Sequence, residues 1–270
     1  MVLTEKNYYS TQASRIWFSV SQYKAFQKCE AAAMAELNGE YEPDRGRALL
    51  LGSYVDEMLT GTRKSQMEFL EENAGELFKK NGEPYADIAQ AMEAVERVKK
   101  QPLMMKHLNG EHQKIMTGKI EGVPFKIKMD SYNPDEFICD LKYMASLRSP
   151  NLFEPMVSYW GYDLQAAVYQ EIVYQNTGKR LPFRFVVATK ERPVHLAVGE
   201  ISQWNMDAAF ETVTKNITHY QKVKTGEIPP TRCEDYGCDY CTETKVLTEI
   251  IDTDLFGMSR KQLEVMEGKI

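Results

Sequence analysis

Two aspartates and one lysine stand at spacings that suit the hydrolysis of a phosphodiester bond. Asp130 ends one stretch of alternating residues, and Asp140 and Lys142 stand two positions apart in the next, FICDLKY. Because residues two apart in a β-strand point to the same face, Asp140 and Lys142 would lie side by side. Carboxylates bind Mg²⁺ or Mn²⁺, which neutralise phosphate charge and activate water, and a nearby lysine can orient that water or stabilise developing charge. As an isolated pattern, these residues would equally suit a charged ladder on the solvated face of a sheet.

The elements around these residues are predicted to be strands. Gln113–Ile120 and Val123–Ser131 flank Glu121-Gly122, a pair that favours a tight turn, and together they predict a β-hairpin whose second strand carries Asp130. Asn133-Pro134-Asp135 predicts the next turn, and Phe137–Tyr143 the third strand. Neighbouring strands would thus present an acid, and then an acid with a lysine.

The rest of the chain predicts helices and two further strands. Apolar periodicity indicates the helices Ser19–Asn38, Arg47–Thr60, Tyr159–Asn176 and Met206–Lys224, and the strands Phe183–Thr189 and Val194–Ile201. The charged stretch Ser65–His107, broken at Asn81-Gly82 and Pro84, predicts a helical layer. We therefore expect one α/β domain over 1–270, a mixed sheet edged by helices, with a helical insertion at about 62–110 and a cysteine-rich segment at about 229–247.

Composition restricts the class of protein. The formal charge is −6, the wrong sign for a protein that coats nucleic acid by neutralising phosphates, so any DNA contact must be local. No run of 18 apolar residues appears, and the first residues lack the order of a signal peptide, so we expect a cytoplasmic protein with no membrane partner.

Several of these segments resemble a known family. Asp130, Asp140-Leu141-Lys142 and Gln165-Ala-Ala-Val-Tyr169 resemble motifs II and III and the QxxxY helix of RecB-type nucleases in the PD-(D/E)xK superfamily. More narrowly, GSYVDEMLTG, GVPFKIKMDSYNPDEFICDLK and YDLQAAVYQEIV resemble RecE-like exonucleases of phages and prophages, over about Ser19 to Leu247. The resemblance implies a restriction-endonuclease-like core. It also implies Asp130, Asp140 and the Leu141 carbonyl as metal ligands, Lys142 as the catalytic lysine, and Gln165 and Tyr169 lining the site.

This resemblance implies an activity and partners. It implies an Mg²⁺- or Mn²⁺-dependent exonuclease that processes duplex DNA ends in recombination or repair, leaves a 3′ overhang for a single-strand annealing protein, and can form a ring around DNA. One alternative is a nuclease for single strands or flaps. Another is a non-catalytic nucleic-acid-binding module stabilised by a metal.

One position departs from the family pattern. RecB-type nucleases usually carry a metal-binding histidine four residues after a glycine, whereas Gly52-Ser-Tyr-Val-Asp56 has an aspartate there. An aspartate is still a ligand for hard metals, so we expect Asp56 to join the site, although it could also be a polar residue at a helix edge. Lys126, Lys128 and Lys190 are weaker candidates for phosphate contacts, since most such lysines are simply solvated.

The cysteines form a second candidate site. Cys233, Cys238 and Cys241 crowd together near the C-terminus and Cys29 lies far upstream, a set of four that suffices for Zn²⁺ or an iron–sulfur cluster. This layout resembles that of the iron-staple nucleases, including the AddB helicase–nuclease subunit and the CRISPR adaptation nucleases, and the resemblance implies a [4Fe–4S] cluster. Zinc and unliganded thiols stay open, and Cys139 is expected to be a small core residue.

Overall fold

The structure, a computed structural model, describes residues 2–44, 46–150, 155–233 and 237–246. The chain divides into two compact units. The first unit comprises Met1–Val20 and Asp44–Asn216, and the second comprises Ser21–Pro43 and Ile217–Ile270. A single nuclease domain over 1–270 stays a prediction.

A five-stranded mixed sheet forms the centre of the first unit. Its strands are β1 (Glu111–Ile120), β2 (Val123–Asn133), β3 (Phe137–Met144), β4 (Phe183–Thr189) and β5 (Leu196–Glu200). They lie side by side in chain order. All neighbours run antiparallel except β3 and β4, which are parallel because a helical crossover connects them.

Twelve helices lie in the described part of the chain. They are α1 (Thr11–Ile16), α2 (Val20–Lys28), α3 (Glu30–Asn38), α4 (Gly46–Thr60), α5 (Arg63–Glu72), α6 (Ala74–Leu77), α7 (Ala86–Lys99), α8 (Pro102–Leu108), α9 (Met156–Tyr159), α10 (Tyr162–Thr177), α11 (Gln203–Lys224) and α12 (Asp239–Glu243). None of the helices in these ranges is long and apolar enough to cross a bilayer.

Helices cover both faces of the sheet. On one face α10 packs against β1 and β2, and the rings of Tyr162 and Tyr169 contact Phe185 and Phe183 of β4. On the other face α4, α7 and α8 enclose a buried cluster that includes Val55, Val95 and Leu108 together with Cys139 and Val186 from the sheet. The predicted α/β class, with a helical layer inserted before the hairpin, is confirmed.

The hairpin between β1 and β2 follows the predicted turn. Glu121 and Gly122 both have positive φ, 48° and 77°, as a tight hairpin turn requires at both central positions. Ile120 and Val123 pair directly across this turn. The turn therefore fixes the register that carries Asp130 along β2.

Two predicted helices differ from the structure, one by an internal break and the other at its start. The helix predicted at Ser19–Asn38 is two helices, because Cys29 is extended (φ −165°, ψ 111°) and its Sγ caps α3 by accepting from the Ala32 amide. The helix predicted from Tyr159 begins at Tyr162, since Gly161 adopts a left-handed conformation. No proline in the sequence signals either difference.

Candidate active site

Asp130 lies where the regular pairing of the sheet is interrupted. The β2–β3 ladder runs from Asn133↔Phe137 to Ser131↔Cys139 and stops before Asp130. The Leu141 amide of β3 donates instead to Asp130 Oδ2, at 2.9 Å. A carboxylate thus takes the place of a backbone acceptor at the point where the two strands separate.

Asp140, Lys142 and Gln165 form one connected group. Lys142 Nζ lies 2.6 Å from Asp140 Oδ2 and 3.2 Å from Gln165 Oε1. Gln165 Nε2 donates to Asp140 Oδ1 at 2.6 Å. Because α10 lies over this face, its Gln165 orients both the acid and the lysine of β3. The alternative of an unconnected ladder of solvated charges does not fit, since Asp140 is only 3% exposed.

The electrostatics of this group favour binding of a cation. Loss of water, and then the neighbouring carboxylates of Asp140 and Asp56, raise the pKa of Asp130 well above its usual range. Burial likewise raises the pKa of Asp56, with Asp140 adding to it. Burial alone would lower the pKa of Lys142, but Asp140 and Asp130 outweigh it and raise that pKa. Three carboxylates against one ammonium leave an excess of negative charge.

Asp56 reaches this group from α4. Thr60 Oγ1 donates to Asp56 Oδ1 at 3.1 Å, and Gln113 Nε2 donates to Asp56 Oδ2 at 3.1 Å. No motif of the sequence singles out Gln113 as a residue of this site. Gln113 has a φ of 52° inside β1, a left-handed conformation that costs a residue with a side chain about 1 kcal/mol, and no sequence signal indicates it.

Tyr169 and Lys128 lie together beside the site. The Tyr169 hydroxyl donates to the Lys128 carbonyl at 3.1 Å, so α10 is fixed to β2 two residues before Asp130. Lys128 Nζ lies 4.6 Å from the ring centre of Tyr9, which is 74% exposed. A lysine and an exposed aromatic ring thus stand next to the carboxylates.

The structure does not bring Lys126 and Lys190 to the carboxylates. Lys126 is 2% exposed, and its ammonium donates to the Tyr8 carbonyl and to Ser14 Oγ. Lys190 Nζ lies over the ring of Tyr143, which packs with the helices on the face opposite Lys142. The ammonium groups of both lysines therefore contact groups other than the carboxylates of Asp130 and Asp140, and a phosphate contact by either one stays a prediction.

The donor set fits a hard divalent cation. Asp140 Oδ2 is buried, and its partner among the described residues is the ammonium of Lys142, at 2.6 Å. Asp130 keeps Oδ1 for a further ligand, since Oδ2 accepts from Leu141. In the described residues these carboxylates are less tightly clustered than the cysteines, whose ligand atoms all lie within 4.8 Å of one another.

The four cysteines predicted to meet lie together in the second unit. The Sγ atoms of Cys29 and Cys241 are 3.5 Å apart, and those of Cys233 and Cys238 are 3.2 Å apart. All four are free thiols in the structure. Cys29 and Cys238 each cap a helix, α3 and α12, so their sulfurs also accept backbone amide hydrogens. Such a cluster could bind a metal.

A buried glutamate holds the cysteine segments together. Glu30 Oε2 accepts from the amide and the hydroxyl of Thr231, each at 2.8 Å, and its Oε1 lies 2.6 Å from His219 Nε2. The Ala31 amide also donates to the Thr231 carbonyl at 2.9 Å. These contacts bring the segment leading to Cys233 against the start of α3, beside Cys29.

The thiols differ in their readiness to ionise. Burial would raise the pKa of Cys29, but hydrogen bonds from Ala32 and the neighbouring cysteines outweigh it and lower that pKa to about 7. Burial and hydrogen bonds raise the pKa of Cys233 and of Cys241. Cys139, in the first unit, is fully buried in the core, as expected.

The mixed sheet, with an acid on β2 and an acid and a lysine on β3, defines the PD-(D/E)xK nuclease superfamily. Residues 19–244 match the model of the PDDEXK-like domain of unknown function (DUF3799), and the chain belongs to this family. It is similar to the crystal structure of the "Putative exonuclease" from Eubacterium rectale, with 40% identity, a TM-score of 0.87, and coverage of 95% of this chain and 98% of that one. No curated protein matches the chain. The predicted superfamily is thus confirmed.

Proposed function

We propose that this protein is a metal-dependent deoxyribonuclease that acts on the ends of double-stranded DNA. The observation that supports this most is the convergence of Asp130, Asp140 and Lys142 from neighbouring strands, with Lys142 Nζ 2.6 Å from Asp140 Oδ2. The name of the Eubacterium rectale relative supports exonucleolytic cleavage. A role in phage-type recombination, with an annealing protein as partner and a ring-shaped oligomer, rests on the resemblance to RecE-like enzymes.

Asp130, Asp140 and the Leu141 carbonyl would hold Mg²⁺ or Mn²⁺, with Asp56 as a further ligand. A cation bound there supplies charge neutralisation for the scissile phosphate and makes hydroxide available near neutral pH. Lys142 stays protonated beside Asp140, so it donates a hydrogen bond and a positive charge rather than accepting a proton. Gln165 keeps the lysine and the acid in place through both ends of its amide.

DNA would approach along the surface formed by Lys128 and Tyr9. Lys128 offers an ammonium for a phosphate, and Tyr9 offers an exposed ring on which an unpaired base can stack. Such a local contact agrees with the net charge of −6, because a protein of that charge does not bind DNA through a basic surface that extends over the whole molecule.

The cysteine cluster is proposed as a structural metal centre. The four sulfurs lie within 4.8 Å of one another, a spacing that suits the Zn–S bonds of about 2.3 Å in a tetrahedral Zn²⁺ site. A [4Fe–4S] cluster, the alternative, would need the four sulfurs to move apart. The centre would stabilise the second unit and take no part in hydrolysis, because its ligands come from α3, α12 and the segment between α11 and α12 and not from the sheet.

Digestion of three labelled substrates tests the proposed activity. Linear duplex DNA with labelled ends, single-stranded DNA and covalently closed circular DNA are incubated with Mg²⁺ and with EDTA. We expect Mg²⁺-dependent release of nucleotides from the linear duplex, with the circle intact. Preferential cleavage of single strands would favour the flap-nuclease alternative, and binding without cleavage of any substrate would favour a non-catalytic module.

A further inference from the structure

Gln113 has a backbone conformation that the hairpin does not require. Among the described residues it is one of two non-glycine residues with positive φ, 52°, and the other is Glu121 with 48°. Glu121 belongs to the turn, where positive φ is needed. Gln113 lies inside β1, between His112 and Lys114, which both pair regularly with β2.

The distortion at Gln113 is not an inserted residue. His112↔Ser131 and Lys114↔Met129 belong to the same register, so β1 has no extra residue of the kind that makes a β-bulge. In that register the partner of Gln113 would be Asp130, and this pair is missing from the ladder. The strained residue therefore faces one of the proposed metal ligands across the hairpin.

The side chain of Gln113 contacts another proposed ligand. Its Nε2 lies 3.1 Å from Asp56 Oδ2, while Thr60 Oγ1 holds Asp56 Oδ1. The Thr60 hydroxyl has one proton and also lies 2.9 Å from the Asp56 carbonyl oxygen, so Gln113 is the donor dedicated to the Asp56 carboxylate, and both carboxylate oxygens keep lone pairs for a cation. Strain of this kind persists where the surrounding structure fixes it, and it concentrates at functional sites.

We infer that Gln113 is a positioning residue, whose left-handed backbone aims its amide at Asp56 and fixes that carboxylate for the metal. The inference rests on the proposed function, since it presumes a cation at this site. Loss of such an outer hydrogen bond typically costs about 10- to 100-fold in metal affinity or activity.

Three substitutions separate the amide from the backbone strain. Gln113→Gly removes the side-chain amide, and glycine tolerates positive φ. Gln113→Ala also removes the side-chain amide but keeps the backbone strain. Glu121→Gly is the matched control, because it relieves a similar φ on the same hairpin without contact to the carboxylates. For each full-length variant, Mn²⁺ affinity is measured by calorimetry, thermal melting by circular dichroism, and kcat and KM on linear duplex DNA.

We expect both Gln113 variants to bind Mn²⁺ about 10- to 100-fold more weakly and to lose kcat. Glu121→Gly should keep wild-type affinity and rate. Neither glycine variant should melt below the wild type, whereas Gln113→Ala should melt below Gln113→Gly. Wild-type Mn²⁺ affinity in both Gln113 variants would overturn this inference and leave the proposed function standing. A loss of affinity that is explained by unfolding of Gln113→Gly would do the same. Failure of the wild type to bind Mn²⁺ would overturn the proposed function and this inference together.

Discussion

The amide of Leu141 donates a 2.9 Å hydrogen bond to Oδ2 of Asp130, which ties the acid of β2 to the backbone of β3. The neighbouring backbone ladder ends at Ser131↔Cys139, so this single contact bridges the strands where they separate. It places the acid of β2 beside the peptide that follows Asp140. The contact thereby brings Asp130 to the Asp140-Leu141 segment, which follows it about ten residues later in the chain.

Asp56 is the residue at which this chain departs from the histidine usual in RecB-type nucleases. We expect Asp56→Ala to weaken Mn²⁺ binding about 10- to 100-fold and to lower activity, and Asp56→His to restore part of both, because imidazole can replace a carboxylate as ligand. Calorimetric titration with Mn²⁺ measures the effect. Glu57→Ala is the control, since Glu57 accepts from Ser65 on the neighbouring helix. Unchanged affinity in Asp56→Ala would make Asp56 an ordinary helix residue.

Lys128 and Lys126 give a matched pair for DNA binding. Lys128 is partly exposed beside Tyr9, whereas Lys126 is buried against Tyr8. Lys128→Ala should weaken binding of duplex DNA and reduce the slope of log affinity against log salt by about 1, and Lys126→Met should leave that slope unchanged. Binding is measured by fluorescence anisotropy without divalent metal. Equal effects of the two changes would argue against a specific contact at Lys128.

Lys126 should instead affect stability, in a way that depends on pH. Burial lowers the pKa of Lys126 to about 8, so the folded state disfavours the charged form that the unfolded chain prefers. This lowers the free energy of unfolding. The loss is complete below about pH 8 and disappears as pH rises towards the ordinary lysine pKa of about 10.4. Relative to Lys126→Met, the free energy of unfolding of the wild type should therefore rise by on the order of 1 kcal/mol between about pH 7.5 and pH 10. Urea unfolding of both proteins at the two pH values measures this gain. A constant difference would show that Lys126 keeps its ordinary pKa.

Each of the four clustered cysteines should be needed for metal content. Protein purified without oxygen should be brown, with broad absorption near about 400 nm if it holds an iron–sulfur cluster, or colourless with about one zinc per chain. Changing Cys29, Cys233, Cys238 or Cys241 to Ala should remove the metal and lower the melting temperature, because metal binding contributes folding free energy. Cys139→Ala is the control and should keep the metal. Absence of iron and zinc, with unchanged melting of Cys29→Ala, would show that the thiols are unliganded.

The sequence predicted those features that depend on local pattern. Alternation located β2 and β3, the Glu121-Gly122 pair located the hairpin turn between β1 and β2, and the spacing of Asp140 and Lys142 placed both on one face. Features that depend on tertiary packing were not predictable. The break at Cys29, the burial of Lys126 under Tyr8 and the left-handed Gln113 each arise because residues distant in sequence compensate a local cost. The resemblance to a known family, rather than periodicity, singled out Gln165 and Asp56.

The most direct test of the central claim compares the wild type with Asp140→Asn on end-labelled linear duplex DNA. The asparagine keeps the volume and the contact to Gln165 but removes the charge needed to hold a cation. We expect the wild type to release nucleotides only with Mg²⁺ or Mn²⁺, and Asp140→Asn to stay folded by circular dichroism but cut at least about a hundredfold more slowly. Lys142→Ala should be inactive while still binding Mn²⁺. Cleavage by Asp140→Asn at a rate near that of the wild type, or wild-type cleavage in EDTA, would contradict the account.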